Sequence, residues 1–208
     1  MRAAICALAG GLLLAIAATG CSADTSAKAN PKSASGSACP KAWRAGWQRL
    51  ANEVKVPVYC PTWMPSPLNG KIGGAWSDIH SVTHDRSYLI SFLYHEPQTG
   101  DVHVNFRGYP GRATIPRCRE LNFAKGKAVA VHLPCFADPS GHTTAGSIHA
   151  TFYTVNQDAD MWHVLYAWRH DGTLYAVSQH VTAPLTYRDV RKDLNRVLRG
   201  LVLVRPSG

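Results

Sequence analysis

The run Trp162-His163-Val164-Leu165-Tyr166-Ala167-Trp168-Arg169-His170-Asp171-Gly172-Thr173-Leu174-Tyr175-Ala176-Val177 reads as two strands joined by a tight turn. Asp171-Gly172 sits between two aromatic and β-branched segments, and both residues tolerate positive φ, which a two-residue hairpin loop requires. Outward from this hairpin a period of two runs through residues 75–181. Tyr88, Ile90, Phe92 and Tyr94 alternate with Leu89, Ser91, Leu93 and His95. Residues 96–100 turn the chain, and Val102, Val104 and Phe106 then alternate with His103, Asn105 and Arg107. Val129, Val131 and Leu133, and later Ile148, Ala150 and Phe152, repeat the pattern. Such alternation marks strands with one buried face.

Helical periodicity flanks the strands on both sides. Trp43, Trp47, Leu50 and Val54 recur at i, i+4, i+7 and i+11, with Pro40 suited to a first turn, so a helix is predicted over 40–54. Residues 57–68 carry four prolines and must be extended or turning. Near the end, Thr186 followed by Asp189 looks like a capping box, and Val190, Leu194, Val197 and Leu198 form an apolar stripe to residue 199. The expected fold is α+β: an antiparallel sheet of five to seven strands with an N-terminal and a C-terminal helix packed on it.

The chain has 208 residues and a formal net charge of +9, with 46% hydrophobic and 17% charged residues. That balance excludes a disordered polyelectrolyte and a multi-span membrane protein. Residues 1–20 read as a signal peptide: Arg2 is the basic start, and an apolar stretch to Ala18 is short for a membrane span. Ala18-Thr19-Gly20-Cys21 resembles the lipobox of bacterial lipoproteins. That resemblance implies diacylglyceryl attachment at Cys21, cleavage before it, acylation of the new N-terminus (palmitate or a similar chain), and an extracytoplasmic, membrane-anchored location. Ordinary secretion with cleavage near Ala23 is the alternative. Residues 21–38 are small and polar, a flexible tether, and 39–208 form the folded domain.

Cys39, Cys60, Cys118 and Cys135 remain once Cys6 and Cys21 are set aside. An even count in an exported chain favours disulfides, and nearest-neighbour pairing gives Cys39–Cys60 and Cys118–Cys135. A four-cysteine metal site is the rival, but the chain holds no C-x-x-C pair. The run Pro61-Thr62-Trp63-Met64-Pro65-Ser66-Pro67-Leu68, and Trp168, Gly172 and Tyr175 ahead of a terminal helix, are similar to the sheet domains of RseB/MucB-like and related sensor lipoproteins. This resemblance implies a sensing or cargo-binding module and names no ligand.

No G-x-S-x-G elbow, H-E-x-x-H, P-loop or calcium loop occurs, and Asp160 near His163 is a local neighbour only. Strand phase projects His95, His103, His132 and His149 from the face opposite the large aliphatics, where imidazoles suit Zn²⁺ or Cu²⁺. A solvated sheet face explains the same residues. Trp162, Tyr166 and Trp168 share a strand face and read as core, whereas Trp63 and Trp76 flank a loop-rich stretch and are candidates for stacking on a ligand. Arg188, Arg191, Lys192, Arg196 and Arg199 form a basic helix face suited to anionic lipid or wall polymer. The expected function is a non-catalytic envelope binding or sensing module, without cofactor or nucleic-acid partner. The alternative is a metal-assisted envelope enzyme using the outward histidines.

Overall fold

In the computed structural model the first helix, α1 (Lys41–Val54), follows from its apolar stripe: Trp43, Trp47, Leu50, Ala51 and Val54 are all buried. The structure describes residues 38–68, 81–96, 100–124, 126–157 and 160–208, so the signal peptide, Cys21, all of the tether but its last residue, and Trp76 lie outside the described residues. Lys55, in the left-handed region at φ 60°, ends α1 by donating its N–H to Ala51 O. The proline-rich run that follows is β1 (Val58–Pro61) and then turns.

The strands β2 (Ser81–Val82), β3 (Tyr88–Glu96), β4 (Gly100–Tyr109), β7 (Phe136–Ala145), β8 (Ile148–Asn156), β9 (His163–His170) and β10 (Thr173–His180) make one antiparallel sheet. Its order is β2-β3-β4-β10-β9-β8-β7 among the described residues. The α+β expectation therefore holds, with seven strands. Hairpin β9–β10 turns at Asp171 (φ 45°) and Gly172 (φ 71°), the double positive-φ loop that the Asp-Gly pair encodes. Helix α2 (Tyr187–Arg199) starts at the predicted capping box. Thr186 Oγ1 accepts from Asp189 N, and Thr186 N donates to Asp189 Oδ2.

Both helices cover one face of the sheet. Trp43 meets Phe92 edge-on at 5.4 Å, Trp47 meets Phe106 at 5.8 Å, and Val190, Leu194, Val197 and Leu198 of α2 join the same core. The chain does not end with the helix. After Gly200 it continues as β11 (Leu201–Val204), which pairs antiparallel with β1 and ties the two termini of the domain together.

Two disulfides, Cys39–Cys60 and Cys118–Cys135, realise the nearest-neighbour pairing. Two readings need correction. Val129, Val131 and Leu133 belong to β6 (Lys127–Pro134), which with β5 (Arg117–Ala124) forms a separate two-stranded ribbon rather than part of the main sheet. Trp162 is 76% exposed, not core: its backbone is left-handed at φ 64°, which breaks the strand phase just before β9.

Candidate functional site

The face of the sheet away from the helices is where sequence and structure part. Half of it is covered by a small core of Tyr109, Cys135, Phe136, Leu165, Ala167, Leu174 and Ala176. The other half is polar and yet buried. Asp160, ahead of β9, folds over the sheet and is 3% exposed. Its Oδ1 accepts from Asn105 Nδ2 at 2.9 Å and from Ser178 Oγ at 2.5 Å, while Arg107 Nε lies 2.5 Å from its Oδ2. Ser91 Oγ donates to Asn105 Oδ1 and extends the network to β3. A buried charge persists only when paired and hydrogen-bonded in this way.

Beside this network three imidazoles converge. In the β9–β10 register His180 stands opposite His163. The β4–β10 register pairs Gln179 with Val104, so one further step sets His103 beside His180. Side chains in one cross-strand row share a face. The ring centres lie 4.4 Å (His103–His163), 4.9 Å (His103–His180) and 5.2 Å (His163–His180) apart. They line a recess of about 360 Å³ with Ser91, Leu93, Asp101, Asn105 and Met161.

The backbone assigns two of the tautomers. His163 Nδ1 is 2.7 Å from Met161 O and His180 Nδ1 is 2.9 Å from Asp101 O. A carbonyl only accepts, so in the neutral rings each Nδ1 carries the proton and each Nε2 keeps its lone pair. His163 Nε2 is buried and has no hydrogen-bond partner among the described residues. Burial pushes the His163 pKa down to about 4, against the opposing pull of the Asp160 carboxylate. Burial, and then the neighbouring His180, lower His103 as well. Both rings are neutral at pH 7. The site is a desolvated cluster of hydrogen-bond acceptors with an apolar rim.

The four histidines singled out by strand phase do not assemble, which corrects that expectation. Only His103 belongs to the recess. His95 is exposed and pairs with Asp101 at 2.6 Å; His132 lies on the separate ribbon; His149 lines a different depression with Thr151 and Tyr153. Among the described residues no group of three His, Cys, Asp or Glu side chains is arranged to hold a metal ion. His163 and His180 went unrecognised because their meeting with His103 depends on which strands are neighbours, and phase alone does not give that. Asp160, set aside as a local neighbour, is the buried hub.

Trp63 is half-buried beneath the Arg196 guanidinium, 4.0 Å from its ring centre, so the cation occupies a face offered for stacking. On α2, Arg191 stacks over Phe152 at 4.9 Å, and a shallow groove of about 380 Å³ holds Arg188, Arg191, Lys192 and Arg199. No protein-family description, curated protein or solved structure matches the chain.

Proposed function

We propose that this protein is a lipid-anchored, extracytoplasmic binding module of the cell envelope whose ligand enters the His103–His163–His180 recess. The observation that carries the reading is the buried, unpartnered Nε2 of His163 in a cavity rimmed by Leu93 and Met161. A buried polar atom without a partner costs about 1–3 kcal/mol, a penalty that a donor from a ligand removes. The matching ligand is a small molecule with an N–H or O–H donor on an apolar body. The Ala18-Thr19-Gly20-Cys21 signature supports the anchor, and two or three acyl chains on Cys21 hold a protein stably at a bilayer. Arg188, Lys192 and Arg199 are exposed on α2 and suit anionic lipid or wall polymer.

A metal-assisted reaction through His163 and His180 is the second reading, although the trio as it stands is not arranged to hold an ion. It is favoured by the Nδ1 anchoring of His163 and His180, which frees Nε2 as metal-bound histidines do. The test follows the imidazole nitrogens by ¹⁵N NMR in the full-length protein in detergent. A panel of small aromatic and aliphatic alcohols and amines is titrated, with Zn²⁺ in a parallel series. Saturable movement of His163 Nε2 with an organic donor is expected, and in His163→Leu the same titrant no longer moves the His103 and His180 nitrogens. Movement with Zn²⁺ alone selects the metal reading, and no movement in either series refutes the site. An intact mass lacking acyl chains on Cys21 refutes the anchor separately.

A further inference from the structure

The β5–β6 ribbon departs from the sheet after β4 and pairs only with itself among the described residues. The Cys118–Cys135 disulfide closes its base, where Cys135 N also donates to Pro116 O at 2.8 Å. Beyond that base the ribbon exposes side chains that exported proteins ordinarily bury. Phe123 is 75% exposed, Leu121 52% and Val129 50%. Register sorts them onto both faces. Leu121 and Phe123 lie across from Ala130 and Ala128 on one side, and Val129, Val131 and Leu133 occupy the other. A protein groove covers one side of such a ribbon, whereas apolar side chains on both sides, with Glu120 and Asn122 opposite Val131 and Val129 on the second, fit a medium that surrounds it. Its sequence is basic: Arg117, Arg119, Lys125 and Lys127 against Glu120. Isolated two-stranded hairpins are marginal in water, so a ribbon that pairs only with itself among the described residues gains order where its apolar side chains are immersed.

We infer that the β5–β6 ribbon lies along the interfacial region of an anionic bilayer, with Phe123 and Leu121 toward the acyl chains and Arg119 and Lys127 reaching the phosphates. This contact goes beyond the acyl anchor and the histidine recess, and either of those readings can fail without it.

The experiment uses the full-length chain in vesicles of phosphatidylcholine with or without a quarter phosphatidylglycerol. A photoreactive benzoylphenylalanine replaces Phe123 in one preparation and Arg49, exposed on α1, in another. Lipid adducts are expected at position 123 and not at position 49, with more when phosphatidylglycerol is present. Arg119→Gln with Lys127→Gln lowers the yield at 123 by about tenfold or more, since each cation near an anionic surface contributes roughly a fivefold factor. Equal yields at the two positions overturn the proposal. So does an adduct at 123 to a second copy of the chain, or a yield indifferent to the anionic lipid. Because Phe123 is exposed, an unchanged urea midpoint for Phe123→Ser establishes that adduct differences do not come from misfolding.

Discussion

Acidification tests the histidine recess without any ligand. His163 in the folded state titrates at about 4, whereas an unfolded histidine titrates near 6.5. As pH falls below 6.5 the unfolded chain takes up a proton that the folded chain refuses, so stability declines until the folded ring protonates as well. The slope is about 1.4 kcal/mol per pH unit for each proton, and the full interval is worth about 3 kcal/mol. His103 has the same sign and adds to it. Other titrations fall elsewhere or cancel. Asp85 and Asp189 have lowered pKa values, through Thr83 and Arg112 for the first and Thr186 for the second, so the stability they contribute is lost only below the usual carboxylate range. Burial raises Asp193, which acts with the opposite sign, but it is common to both proteins compared. The assay is urea unfolding of the full-length chain, followed by tryptophan fluorescence at several pH values from 7 to 4. His163→Leu keeps the volume and removes the titration, so it flattens the wild-type decline by about 2–3 kcal/mol across that interval. Superimposable pH profiles for the two proteins would show that burial does not hold His163 neutral, and the recess would lose its acceptor character.

Three further outcomes follow from the packing. Asp160→Asn removes the carboxylate that pairs with the largely buried Arg107 guanidinium and lowers the urea-derived stability by about 3 kcal/mol, the lower end for a broken buried pair. Thr186→Ala removes the oxygen that accepts from Asp189 N and costs about 1 kcal/mol, read as a lower thermal midpoint. Replacing Cys118 and Cys135 together by Ser opens a 17-residue separation and costs about 3 kcal/mol in the chain-entropy description. Hydrogen exchange in that variant should accelerate at the base of the ribbon before it does so in β9 and β10.

What the chain disclosed about itself depended on range. The β9–β10 hairpin, the α1 stripe and the Thr186–Asp189 cap are encoded within a few residues of one another, and all three form as read. The disulfide pairing was equally legible, because each partner is the nearest available. The trio was not, since His103 and His180 are joined by a β4–β10 pairing between strands far apart in the sequence. Alternation in Val129, Val131 and Leu133 stated that a strand forms but not what lies against it. For Trp162 a single left-handed residue cancelled the phase on which its assignment as core relied.

The polar half of the open face rests on a competition between two charges. A carboxylate beside His163 would by itself raise its pKa and favour an imidazolium. Arg107 sits 2.5 Å from that carboxylate, and Asn105 and Ser178 donate to its other oxygen. The negative charge of Asp160 is thereby largely spent within its own network, and burial decides the state of His163. The same network pins the chain just before β9, which places Met161 over the recess and turns Trp162 outward. One buried ion pair thus leaves burial to keep His163 neutral and builds the rim around it. Replacing Arg107 should therefore raise the His163 pKa and disturb the rim together, whereas replacing Asp160 disturbs the rim but takes away the charge that raises that pKa; substitutions on the helix-covered face weaken the fold and leave the protonation of His163 where it is.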